Sequence, residues 1–252
     1  MRVGLAAQPA CAHHATSCYP HGPCYRDGVK NLITKTTLDQ RGEAARALQK
    51  PRSLKRVLRM AERALARADA AIDAAAAIMP PPQSIACGPD CPYCCHIRVT
   101  ASAPEMLLVL AHIQETWDAD AVAALKRKVK NIDGLTRGLD DEARAKLRLP
   151  CPLLKDAKCA VHAVRPLSCR GVASVDQGTC KAAYNAHMET GVPMVESQYQ
   201  MANAVGYGLY AGMVDAGYPV ENIELGAALA VGLADHDIAK RWLKGEGAFN
   251  DL

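Results

Sequence analysis

The most restrictive feature of this sequence is a cysteine cluster, CGPDCPYCCH, at residues 87–96. Turns at Gly88, Pro89 and Pro92, with only two or three residues between cysteines, let several sulfur atoms converge on one centre. A lone buried cysteine often packs as a small hydrophobic residue, whereas a cluster beside glycine, proline and aspartate is typical of a metal site. The cysteines of this first group are Cys87, Cys91, Cys94 and Cys95.

A second cysteine group begins after 55 intervening residues. Its gaps of seven to ten residues are long for an isolated zinc knuckle. In the first group, the adjacent Cys94 and Cys95 do not easily bind the same ion, because neighbouring side chains of an extended backbone point to opposite sides. We therefore expect the two groups to meet, as one shared centre or as two centres packed together. The second group comprises Cys151, Cys159, Cys169 and Cys180.

The composition favours a helical protein. A chain of 252 residues that is 50% hydrophobic is long enough to bury one main core. Only 4% of the residues are aromatic, so the core consists mostly of Ala, Leu, Val, Ile and Met, which suits closely packed helices. The predicted fold is mainly α, organised around a Cys-rich metal centre, with little or no β-sheet.

Three regions are predicted along the chain. Residues 1–38 show no sustained hydrophobic period and are expected to form a flexible N-terminal tail. Residues 39–80 are predicted to form a basic, Ala-rich helix, because apolar residues recur every three or four positions from Arg41 to Met79. Prolines at positions 80–82 end this helix, since proline lacks the N–H group. Residues 84–252 then form the Cys-cluster metal-binding domain.

Helix-start signals follow the first cysteine group. Ser102 and Glu105 have the spacing of a capping box, which predicts a helix from about Ala103. The segment DADAVAALKRKVKNI predicts a second helix that is capped by an aspartate. Two further helices are predicted near the C-terminus, from Pro193 to Asp215 and from Glu221 to Ala234.

Charge and hydropathy limit the expected partners and location. The formal net charge of +4 is modest for this length, so nucleic acid is not an expected partner; a protein partner is left open. The N-terminal residues lack the apolar run of a secretory signal, and the longest apolar stretch, Leu225 to Ala234, is about half the length needed to span a bilayer. We expect no membrane association and a cytoplasmic location, where thiols stay reduced and clustered cysteines bind metals or catalyse reactions.

The segments CGPDCPYCC, VTASAPEM and CPLLKDAKCAVHAVRPLSCR, together with Cys180, resemble the CxxCxxCC, or YkgJ-type, cysteine-cluster family of zinc- or iron-chelating proteins. The resemblance covers residues 87–180. It implies a helical domain around a Cys-rich metal centre and no settled biochemical activity. Tyr93 stands where the family typically has glycine, and His162 where it has an aromatic residue.

Two other resemblances keep an enzyme open. The C-x3-C-x2-C spacing, with Tyr93 before the third cysteine, is similar to the cluster-binding loop of radical S-adenosylmethionine enzymes. Those enzymes resemble a partial βα barrel, whereas the residues after Cys95 show no strand–helix alternation. The flagellin lysine methylases also carry a CxxCxxCC segment. The alternative function is therefore a cluster-dependent protein-modifying enzyme.

The identity of the metal is open between iron and zinc, since both bind thiolates. Eight cysteines are enough for two zinc sites, or for one [4Fe-4S] cluster with several cysteines left over. A cluster tolerates varied cysteine spacings and is weakly favoured. The expected function is a structural, metal-handling or redox role.

Arginines beside Cys169 are candidates for holding this cofactor. A zinc ion or cluster bound by four thiolates is negatively charged, and Arg165 and Arg170 are expected to offset that charge by hydrogen bonds and Coulomb attraction. His162 is left out of the ligand set, because a single histidine in CAVHAV commonly packs or bonds locally.

Two weaker features lie near the N-terminus. Cys11, Cys18 and Cys24 occur near three histidines, but their spacings are loose for a metal site. The stretch from Arg41 to Arg67 carries nine basic residues against two acidic ones. Such a run binds phosphate or an acidic partner in some proteins and is more often a solvated helix face.

Overall fold

The computed structural model describes residues 23–88, 90–187, 191–220 and 222–249. The predicted mainly α class is confirmed, since the strands among these described residues form two short antiparallel pairs. The helices are α1 (Pro23–Ala47), α2 (Leu54–Ile78), α3 (Ala103–Thr116), α4 (Ala119–Thr136), α5 (Asp141–Leu147), α6 (Leu167–Gly171), α7 (Gln177–Asn185), α8 (Glu196–Asp215), α9 (Leu225–Ala234) and α10 (Ile238–Leu243). The strands are β1 (Thr100–Ala101), β2 (Leu154–Lys155), β3 (Lys158–Cys159) and β4 (Ile223–Glu224). Short 3-10 turns occur at Tyr93–His96 and His162–Val164.

The N-terminal region differs from its prediction. Residues 23–38, expected to be part of a flexible tail, lie within helix α1, while Cys11 and Cys18 are outside the described residues. Helix α1 is polar overall, so its sequence gives a weak amphipathic signal. It is stabilised by packing along α8, where Ala44 and Gln40 are completely buried.

The predicted single helix from Arg41 to Met79 is also wrong. The structure breaks it between Ala47 and Leu54, around Pro51. Proline lacks the N–H group of a helical hydrogen bond and disfavours the helical conformation of the residue before it, which accounts for the break. Helix α2 then ends at Ile78, just before the three consecutive prolines.

Helix α3 begins as predicted, and its capping box has a second role. The Ser102 backbone N–H donates to Glu105 Oε2 at 2.8 Å, as the capping box requires. Glu105 Oε1 accepts from the backbone N–H of Leu167 at 2.8 Å, and the glutamate is only 5% exposed. The start of α3 is therefore tied to the start of α6, the short helix that carries Cys169.

The remaining predicted helices are present with shifted boundaries. Helix α4 is capped by Asp118, whose side chain accepts from the backbone N–H of Ala121. Helix α8 begins at Glu196 rather than near Pro193. Helix α9 begins at Leu225 rather than Glu221, because the preceding β4 pairs with β1 instead of entering the helix.

The core joins the N-terminal helices to the C-terminal half. One buried cluster contains Ala64 and Leu65 of α2 together with Leu108 of α3, Leu167 of α6 and Val205 of α8. Helix α6 is thus held between three long helices. Within the described ranges, no helix is both long enough and apolar enough to cross a membrane.

Candidate metal centre

The backbone brings the two cysteine groups together. The backbone N–H of Cys151 donates to the carbonyl oxygen of Cys95 at 2.6 Å. On the surface, Lys158 and Asp90 form an ion pair at 3.5 Å between the same two segments. The groups that are separated by 55 residues of sequence therefore meet in the fold, as their spacing led us to expect.

Six of the eight predicted ligands line one cavity of about 360 Å³, hereafter the cysteine-lined cavity. Three local structures supply four of these side chains: the 3-10 turn at Tyr93–His96, strand β3 and helix α6. The other two cysteines lie in the segments just before the 3-10 turn and just before β2. Apolar side chains such as Val172 and Leu225 complete the walls. The six cysteines are Cys91, Cys94, Cys95, Cys151, Cys159 and Cys169.

The other two cysteines lie beside Ser174. The backbone N–H of Ser174 donates to Cys87 Sγ at 3.1 Å. The Ser174 side chain hydrogen-bonds to Cys180, which lies on α7. Cys87 also lines an adjoining cavity of about 470 Å³, which shares Cys159 with the cysteine-lined cavity.

Electrostatic interactions divide the thiols into two sets. Burial raises the pKa of Cys87, and the neighbouring thiols of Cys91, Cys94 and Cys180 raise it further. Burial is likewise the main cause of the raised pKa of Cys169, to which the following thiols add: Cys151, Cys159 and Cys94. Cys94 therefore neighbours both sets, and Cys180 belongs with the first group rather than with the cysteines that precede it in sequence.

The raised pKa values determine the protonation of the metal-free protein. Burial raises the pKa of Cys151 to about 11. The pKa of Cys94 is raised further still, first by a hydrogen bond with Cys95 and then by burial. These thiols keep their protons at neutral pH, so a metal that binds them must displace protons.

The thiols line the wall of a cavity together with other side chains. Among the described residues, no group of three or more His, Cys, Asp or Glu side chains is arranged to hold a single metal ion.

Arg165 faces the thiols, as predicted. It lines both the cysteine-lined cavity and the adjoining one. Its positive charge favours the thiolate of Cys159 and so opposes the upward pKa shift that burial causes. The guanidinium also donates to His162 Nε2, and burial, with help from Arg165, lowers the pKa of that histidine. His162, which was left out of the predicted ligand set, is therefore a neutral side chain in the wall of the cavity.

Arg170 is not among the residues that line the cysteine-lined cavity, and its predicted role of offsetting the charge of a cofactor stays a prediction. Its guanidinium donates to both carboxylate oxygens of Asp69 at 2.7 Å. It also donates to the carbonyl oxygens of Ala163 and Arg165. The residue is 7% exposed, and these partners satisfy its charge. Asp69 lies on α2, 101 residues earlier, and nothing in the local sequence around Cys169 indicated it.

The fold and the site together define a helical protein with a cysteine-lined cavity at the junction of α6 and two cysteine-bearing segments. Models of known protein families, characterised proteins and solved structures were each compared with this chain, and none matches it.

Proposed function

We propose that this protein binds a [4Fe-4S] cluster in the cysteine-lined cavity and has a redox, structural or metal-handling role in the cytoplasm. The donor set supports this proposal, because clusters are held by cysteine thiolates. The resemblance to the CxxCxxCC family supports it as well. A cytoplasmic location fits a site built from many cysteines that must remain reduced.

We favour a cluster over zinc because of the size of the cavity. Zn–S bonds of about 2.3 Å place the sulfurs of a tetrahedral site about 3.8 Å apart, which leaves no cavity between them. An iron–sulfur cluster places several iron and sulfide atoms between its thiolates and needs a wider space. A cavity of about 360 Å³ with six thiols in its wall suits the larger group, which is the iron–sulfur cluster.

The second electrostatic set suggests which thiols bind the cluster. Cys169 neighbours the thiols of Cys94, Cys151 and Cys159, and four thiolates are what a [4Fe-4S] cluster requires. When bound, such a cluster supplies one-electron redox chemistry. Arg165 offsets part of the negative charge of the thiolates. The remaining four cysteines of the two groups, Cys87, Cys91, Cys95 and Cys180, are left for a second metal or for a reduced, metal-free role.

A cluster-dependent protein-modifying enzyme is the second candidate. The adjoining cavity of about 470 Å³ favours it, because this cavity offers space beside Cys159 and His162 that the cluster itself does not need. A protein that only transfers electrons does not require such a space.

Anaerobic purification followed by iron, sulfide and zinc analysis tests the cluster proposal. We expect stoichiometric iron and sulfide, with the broad visible absorption of an iron–sulfur protein. Cys159→Ser should remove most of both, whereas Cys18→Ser, a matched change far away in sequence, should not. Stoichiometric zinc without iron, or an unchanged iron content in Cys159→Ser, would contradict the proposal.

A further inference from the structure

A groove between α1 and α2 is lined by five arginines and has a volume of about 780 Å³. Four of the arginines lie on α2 at intervals of three, four and four residues, so they share one face of that helix over about 16 Å. The fifth comes from α1. The members of this arginine groove are Arg46, Arg56, Arg59, Arg63 and Arg67.

The groove has a large excess of positive charge. Glu43 is the acidic residue among its lining side chains, and it is shared between Arg63 and Arg67. Arg46 and Arg59 are exposed, and their guanidinium groups form no hydrogen bond or ion pair with any residue that the structure describes. Five guanidinium groups thus face one carboxylate.

Two of the arginines are already held in place. Arg56 donates to the carbonyl oxygens of Arg46 at 2.7 Å and Pro51 at 3.0 Å. Arg67 donates to Gln40 Oε1 at 3.0 Å. Side chains fixed before binding lose little conformational entropy when a ligand arrives.

We propose that the arginine groove binds an acidic segment of a partner protein. Guanidinium groups bind carboxylates through paired, geometrically matched hydrogen bonds, which the point charge of lysine does not provide. Apolar side chains also line the groove, including the exposed Ala66 and Ala70, and they suit the aliphatic side chains of a peptide. An amphipathic segment that carries both glutamates and leucines matches this surface.

A nucleic acid fits the groove less well. No aromatic side chain occurs among the residues that line it, so bases have nothing to stack on. The sequence pI of about 8.5 is also below the value of about 9 above which nucleic-acid-binding domains are typically found.

The proposal is independent of the metal centre, since no cysteine lines the arginine groove. Either proposal can fail while the other stands. The groove is therefore tested on the purified full-length protein by a binding measurement that does not depend on the metal content.

Fluorescence anisotropy with three labelled probes provides the test. The first is a peptide of about 12 residues made of glutamate and leucine, long enough as a helix to follow the arginines. The second replaces each glutamate by glutamine, and the third is a single-stranded RNA of similar length. We expect the glutamate peptide to bind, the glutamine peptide to bind much more weakly, and added salt to reduce binding.

Two matched double variants locate the site. The first variant combines Arg46→Glu with Arg59→Glu, at two arginines whose guanidinium groups have no described partner. It should weaken peptide binding by roughly tenfold or more. Lys126→Glu with Lys130→Glu makes the same charge change on exposed positions of α4 and should have little effect. Circular dichroism checks that both variants fold.

Three outcomes would overturn the proposal. The first is that the glutamate peptide does not bind. The second is that both double variants weaken peptide binding equally, which would indicate attraction to the overall charge of the protein. The third is that RNA binds more tightly than the peptide and loses its affinity in the groove variant, which would make the groove a nucleic-acid site.

Discussion

At the scale of single residues, Arg170 follows Cys169 in the sequence, and its charged side chain stabilises the fold. Its guanidinium is buried and joins α2, through Asp69, to the carbonyl oxygens that precede α6. A buried arginine is tolerated because these partners satisfy its donors. The residue therefore fixes the position of α6, and Cys169 with it, without touching the cysteine-lined cavity.

Arg170→Ala should lower the free energy of unfolding by about 2 kcal/mol, as urea denaturation would measure. Removing a partner from a buried pair usually costs more, but Asp69 is 56% exposed and remains solvated after the change. Lys240→Ala breaks the exposed pair with Asp237 and should cost clearly less stability than Arg170→Ala. Equal losses in the two variants would contradict the role given to Arg170.

The buried thiol of Cys151 gives a pH dependence to the metal-free protein. Burial raises its pKa from 9.0 to about 11 in the folded state. Between these values the unfolded chain loses the proton while the folded chain keeps it. The contribution of the thiol to stability is therefore complete below pH 9 and is lost as the pH rises through about 11.

Urea unfolding of the metal-free protein at increasing pH checks this expectation. The free energy of unfolding should fall between about pH 9 and pH 11, and the share of Cys151 should be roughly 3 kcal/mol. Cys151→Ala lacks the thiol, so its stability should fall less steeply over the same range. If the free energy of unfolding falls in parallel with pH for Cys151→Ala and for the unsubstituted protein, Cys151 is not the group that titrates.

At the scale of secondary-structure elements, close packing of α1 against α8 depends on two glycines. A Cβ atom added at Gly208 would clash with the carbonyl oxygen of Thr37. One added at Gly212 would lie 2.5 Å from the Ala44 Cβ and 2.6 Å from the Arg41 carbonyl oxygen. The two helices thus approach backbone to backbone, which also holds α1 beside the arginine groove.

Gly212→Ala should lower the free energy of unfolding by about 1–3 kcal/mol, because the added methyl group forces the two helices apart. Gly134→Ala is the matched control. It lies in helix α4 with no atom within 4 Å of the added Cβ, so it should raise stability by up to about 1 kcal/mol. Thermal or urea unfolding distinguishes the expected loss of stability in Gly212→Ala from the expected gain in Gly134→Ala. A Gly212→Ala variant that is more stable would contradict the close packing.

The same elements show what local sequence predicts. Helices α3 and α4 were predicted well because their caps, Ser102 with Glu105 and Asp118, are local signals. Helix α1 was missed because its stability comes from α8, more than 150 residues away in sequence. The start of α9 was misplaced because the pairing of β4 with β1 is also a distant interaction.

At the scale of the whole molecule, the sequence indicated that the cysteine groups meet but not how they are divided. Spacing placed Cys180 with Cys169, whereas the fold places Cys180 beside Ser174 and near Cys87. This division depends on where α7 packs, which no local pattern specifies. The expectation that Cys94 and Cys95 do not easily bind the same ion assumed an extended backbone, whereas the structure places both in the 3-10 turn at Tyr93–His96. Cys94 neighbours both sets of thiols.

The central claim is that an iron–sulfur cluster occupies the cysteine-lined cavity. Anomalous X-ray diffraction from crystals of anaerobically purified protein, measured on both sides of the iron and zinc absorption edges, tests it most directly. We expect an iron signal inside the cavity, within bonding distance of sulfurs from both segments, including Cys94 and Cys159, and no zinc signal there. A single zinc ion bound by four cysteines, or iron bound away from these sulfurs, would contradict the claim.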